Sequence, residues 1–160
     1  MGLMPVLFTT EINLEGWPAM KKSDFNKAKK AAYFKVGKVW LRKFLPRHFR
    51  TGAKRRYGYP ERSADHMRRK LALKGHRRPL VYKGDLELQV QSPSNQRVAA
   101  TSKGVSVRLS HHQVHRQVRE DLIKLDVAGE EQRHLEKVYQ EELARQLNSF
   151  TGRRRIRLRK

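Results

Sequence analysis

Cysteine is absent from the 160 residues. That removes disulfides, thiolate catalysis and cysteine-ligated zinc together, and it is compatible with assembly in a reducing cytoplasm. Acidic side chains are scarce: 15 Asp and Glu stand against 37 Lys and Arg, a formal net charge of +22. No long apolar run is present, and the opening MGLMPVLFTTEINLEG has no basic leader region. Neither a signal peptide nor a transmembrane helix is therefore expected, and the product reads as soluble and cytoplasmic until assembled. Glycines are isolated at Gly52, Gly58, Gly75 and Gly84, so no glycine-rich phosphate loop forms. Apolar residues make up 38%, which is lean for this length. A thin core with many surface charges points to one domain that neighbouring subunits complete.

The positive charge is concentrated. Residues 42–83 carry +13, residues 1–41 +4, residues 84–150 −1 and residues 151–160 +6. Two basic elements thus flank a near-neutral body, a pattern for directed contacts rather than diffuse coating of a polyanion. Aromatic residues interrupt the larger basic element at Trp40, Phe44, Phe49, Tyr57, Tyr59 and Tyr82. A disordered basic tail buries nothing and lacks such residues. These six are read as anchors that pin a basic loop to a fold.

Along the chain, Met4, Val6, Phe8, Ile12 and Leu14 share one parity and predict a half-buried strand that Gly16 and Pro18 end. Ser23 is the expected cap of a long amphipathic helix, with Asp24 in its first turn and Phe25, Ala28, Ala32, Val36, Val39 and Trp40 on its apolar face. Pro46 is expected to stop it. Gly37 inside this helix implies a close helix-to-strand contact. An ordered, irregular loop is expected from Pro46 to Pro60, followed by a short basic helix from Arg62 to Lys74 that Gly75 terminates. Leu80, Tyr82, Leu86, Leu88 and Val90 alternate with polar residues and predict a strand. With strands over Arg97–Ala100 and Val105–Leu109 it would make an antiparallel meander. His111–Ala128 reads either as a helix or as an arm clipped to a neighbour. Gly129, Glu130 and Glu131 open a helix with the stripe Leu135, Val138, Tyr139, Leu143, Leu147 and Phe150. The fold class is α+β: a small antiparallel sheet packed by two long amphipathic helices. The domain spans 1–152 with a basic loop and short-helix insertion at 46–80, and a basic tail follows at 153–160.

The candidate chemistries are weak. His111, His112 and His115 have helical spacing for a metal, yet Glu120 and Asp121 are too far along the chain to complete a set, and a polar histidine cluster is the simpler reading. Ser110 beside His111 is only a sequence neighbour, not a triad. The carboxylates of the last helix sit at solvent-facing spacing beside Arg133, Lys137 and Arg145, which suits ion pairing rather than a nuclease metal site. No catalytic, cofactor or metal site is expected, and the chain reads as a non-enzyme.

The strings LRKFLPRHF, RRYGYPERS and GHRRPLVYKG, with a basic helical turn between the last two, carry a resemblance. In this order they resemble small virion-morphogenesis proteins of tailed bacteriophages, the neck or tail-completion subunits that join the DNA-filled head to the tail. The resemblance implies a structural subunit in a homo-oligomeric ring. Its partners would be adjacent connector, head-closure and tail-tube proteins and its place the virion; the basic loop would meet either acidic surfaces of those proteins or, without reading sequence, the packaged DNA. It offers no catalytic motif. The residues expected to meet a partner or DNA are Arg47, Arg50, Lys54, Arg55, Arg56, Arg62, Arg68, Arg69, Arg77 and Arg78, with Arg153, Arg154, Arg155 and Arg157 in the tail. In the tail, Ile156 and Leu158 alternate with arginines, as a strand added to a neighbour would also require. A ribosomal-type RNA-binding structural protein is the alternative reading of the same charge, size and arginine–aromatic mix.

Overall fold

The computed structural model describes residues 21–59, 62–78, 80–81, 85–110 and 127–151. Helix α1 (Lys22–Val39) buries Ala28, Ala32, Tyr33, Val36 and Gly37 along one face. Its N-cap is Lys21 and makes no side-chain cap bond, so Ser23 lies inside the first turn instead of capping it. Asp24 still favours this end, through the helix dipole and a 3.4 Å ion pair to Lys27.

Pro46 does not stop the run; the winding changes around it. Trp40–Phe44 forms a π-helical turn in which the Leu45 N–H reaches the Trp40 carbonyl. Leu45–Phe49 then tightens into a 3₁₀ turn with Pro46 at its start, where a missing N–H costs little. This change of pitch keeps Trp40, Leu41, Phe44, Leu45, His48 and Phe49 all turned inward. The expected irregular loop is likewise helical: α2 (Ala53–Tyr57) sits between Gly52 at φ 86° and Gly58 at φ 63°. Both glycines adopt left-handed backbone that other residues avoid. Ala53 and Tyr57, one turn apart, are its two buried residues.

Helix α3 (Ala64–Lys74) follows the sequence expectation. The Ser63 hydroxyl accepts from the His66 N–H at 3.3 Å, and Gly75 closes it at φ 67° with its N–H on the Leu71 carbonyl at 2.8 Å. The strand expected over Leu80–Val90 is instead helix α4 (Asp85–Gln91). Leu80 has φ 58°, which breaks any strand there. The parity of Leu86, Leu88 and Val90 was equally a helical pattern: Val90 is buried, Leu86 half-buried one turn before it, and Leu88 is 73% exposed.

The other two strands form. β1 (Gln96–Ala100) pairs antiparallel with β2 (Val105–Leu109), Val98 opposite Val107. α1 lies on this hairpin, and a Cβ at Gly37 would come within 2.5 Å of Val98 Cγ1 and 2.9 Å of Val105 Cγ2. The close approach expected of Gly37 is therefore present, and only a hydrogen fits.

Helix α5 (Gly129–Thr151) packs on α1 through Leu135, Tyr139, Leu143 and Leu147, with the Tyr33 and Tyr139 rings 4.6 Å apart. This buried line advances by four residues each time, so Phe150 steps off it and is 47% exposed. The two long helices and the two-stranded sheet share one core, and the fold is α+β. The expected strand at 4–14, the histidines at 111–115, Tyr82 and the tail 153–160 lie outside the described residues.

Candidate functional site

Five of the six expected anchors are described, and all five are buried: Trp40, Phe44, Phe49, Tyr57 and Tyr59. What they hold in place is a polar core under a positive surface. The 3₁₀ turn buries His48, whose ring stacks on Tyr57 at 3.7 Å and whose Nδ1 shares a 2.6 Å hydrogen bond with the Tyr59 hydroxyl. The Tyr57 hydroxyl donates to Glu131 Oε1 at 2.5 Å. Arg47 approaches the same oxygen, its Nη1 3.8 Å away. Glu131 is fully buried in the first turn of α5, where the helix dipole favours a carboxylate. Residues 45–59 are thereby stapled to α5 from below.

Burial sets the ionisation of this centre. It lowers the His48 imidazole to about 3, so the ring is neutral at physiological pH. Burial also raises the Tyr57 phenol, and the hydrogen bond to the Glu131 carboxylate raises it further. Among the described residues, His48 Nε2 and Glu131 Oε2 are buried without a hydrogen-bond partner.

Above this centre, Arg47, Arg50, Arg55 and Arg56 line an open cleft of about 840 Å³ with the Gly52 turn and the Gly129–Glu130 start of α5. Arg56 Nη2 stands 4.0 Å from Glu130 Oε2. Among the described residues, the side chains of Arg50 and Arg55 make no hydrogen bond or ion pair, and both are exposed. Lys54 is exposed on the same short helix but does not line the cleft.

Arg62, Arg68, Arg69, Arg77 and Arg78 do not line it either. They belong to α3 and its flanks. There Arg68 pairs with Asp65 at 2.5 Å and Arg78 Nη1 with Glu87 Oε2 at 3.7 Å. Lys70, the one buried residue of α3, donates to the Arg78 carbonyl at 2.5 Å. Burial, and then the charges of Arg62 and Arg78, push its ammonium pKa down. The tail arginines Arg153, Arg154, Arg155 and Arg157 are outside the described residues.

Two members of the centre were not read from the sequence. The carboxylates of α5 were expected on its wet face, and Glu141 does pair with Lys137 there, while Glu142 is largely covered and pairs with exposed Arg145. Glu131 is the exception, because it heads the line 131, 135, 139, 143, 147 that buries the helix. That four-residue spacing was the available signal. His48 likewise extends the series Trp40, Phe44, His48.

Among the described residues no three His, Asp or Glu side chains gather as a metal site, and no helix is long and apolar enough to cross a membrane. Comparison of the chain with models of known families, with curated proteins and with solved structures finds no match. Chemically, the site is a guanidinium-lined concavity on a rigid base, suited to holding an extended anion.

Proposed function

We propose that this chain is a non-enzymatic structural subunit of a tailed-phage virion, a neck or tail-completion protein that oligomerises into a ring where the DNA-filled head meets the tail. The observation that carries this reading is the burial of the aromatics within the basic stretch: its arginines project from a fixed surface, as a docking element requires. The resemblance in LRKFLPRHF, RRYGYPERS and GHRRPLVYKG supplies the phage context. Exposed Leu73 and Leu88, 67% and 73% accessible, add apolar surface that a neighbouring subunit would cover.

Quantitative mass spectrometry of purified virions tests the proposal. The expected result is this chain at a fixed, low copy number per particle, with rings of the purified protein in negative-stain micrographs. A chain missing from intact particles, or present only as a dispersed monomer, overturns it. Co-sedimentation with structured RNA in place of particles would favour the ribosomal-type reading.

A further inference from the structure

We propose that the cleft formed by Arg47, Arg50, Arg55 and Arg56 binds the phosphodiester backbone of duplex DNA without reading its sequence. This goes beyond the assembly role in assigning a phosphate-binding site to four named arginines, and it rests on the cleft and not on that role.

The four guanidinium groups divide into two kinds. Arg47, which also lies 4.9 Å over the Phe44 ring, and Arg56, which also meets the Tyr57 hydroxyl, face the protein's own carboxylates only at 3.8 and 4.0 Å. Those distances exceed a charge-assisted hydrogen bond of about 2.7–2.9 Å, so neither carboxylate saturates its arginine. Arg50 and Arg55 have no partner among the described residues and stand ready for an external anion. The backbone that carries them is held by buried Phe49, Ala53 and Tyr57, so little ordering entropy is lost when an anion arrives.

The aromatics decide which polyanion fits. Proteins that grip single strands offer exposed rings on which bases stack. Here Phe49, Tyr57 and Tyr59 lie in the core and no aromatic side chain lines the cleft. Nothing is left to read or stack a splayed base, whereas guanidinium forks match phosphate oxygens bidentately. The geometry therefore favours an intact duplex gripped by its backbone.

The test is fluorescence anisotropy of the full chain with a labelled mixed-sequence duplex of about 20 bp, titrated at several salt concentrations. The R50A/R55A variant removes two phosphate contacts from exposed positions. Its log–log salt slope should be shallower by about 1.8, and its affinity at 0.1 M salt weaker by about 60-fold. R50K/R55K should keep the wild-type slope. K22A/K30A, which removes the same charge from exposed positions on α1 outside the cleft, should bind as wild type does. Equal losses in R50A/R55A and K22A/K30A would mean diffuse attraction and overturn the proposal. So would a wild-type preference for single-stranded DNA, or polyglutamate displacing the duplex at equal charge concentration, which would assign the cleft to an acidic protein. Wild-type protein that binds no duplex yet is counted in virions would sink this inference alone and leave the assembly role standing.

Discussion

Two basic stretches lie side by side in the sequence, 45–59 and 62–78, and both display arginines on short helices. They differ in what lies beneath. The first sends His48, Phe49, Ala53, Tyr57 and Tyr59 into the core and meets a buried carboxylate on α5. The second sends in only Lys70 among the residues of α3, held by one bond to a carbonyl, while Leu71 and Leu73 remain at the surface. The first carries +5 and the second +6, so similar charge gives unequal surfaces. The inward-facing side chains, and not the number of arginines, decide whether a basic segment presents a fixed shape.

The largest effect that would break this contrast is acid. In the folded chain His48 is neutral, its imidazole held to about 3 against 6.5 for the free side chain. On acidification the unfolded chain takes up that proton first. Stability from this group is thus fully present above about pH 6.5 and falls by about 1.4 kcal/mol per pH unit down toward pH 3. Urea unfolding across that range should show a steeper decline in wild type than in H48Q. Parallel curves would mean that His48 is not buried in neutral form.

Next in size is Glu131. Replacing it with alanine strands the Tyr57 hydroxyl and releases Arg47, and should cost about 3 kcal/mol in the same unfolding measurement. A loss below about 1 kcal/mol would show that the first stretch is held by its aromatics alone. The matching change in the second stretch, K70A, should cost about 1 kcal/mol. Its larger signature is faster amide exchange across α3, because the bond to the Arg78 carbonyl ties that helix to the chain after it.

The same contrast explains what was legible in the sequence. Local signals held: Gly75 ends α3, turn residues separate β1 from β2, and a glycine in α1 marks the hairpin contact. Anchoring by Trp40, Phe44, Phe49, Tyr57 and Tyr59 was legible too, because aromatics in a charged run have nowhere else to go. The losses came where one pattern satisfies two periods. Leu86 and Val90 share a parity and also a helix face, so the pattern alone does not decide between them. Glu131 was illegible as a core residue, because its burial depends on Tyr57 and Arg47 arriving from 74 and 84 positions earlier in the chain. Residue type alone places a glutamate outside.

The smallest effect on folding carries the sharpest functional contrast. Replacing Arg55, Arg56, Arg77 and Arg78 with alanine removes exposed Arg55, Arg56 and Arg77 and half-buried Arg78, and should change stability by less than about 0.5 kcal/mol per site, since the ion pairs of Arg56 and Arg78 are long. If the chain joins heads to tails, that variant should give folded subunits and unjoined particles by electron microscopy. Separating the pairs then tests the comparison itself. R55A/R56A removes charge from the stretch that buried aromatics anchor, whereas R77A/R78A removes it from one whose helix sends only Lys70 inward, so the first should lose more joining than the second. Equal losses would mean that both stretches become equally rigid in the assembled ring, and that the anchoring visible in the single subunit has no special part in its contacts.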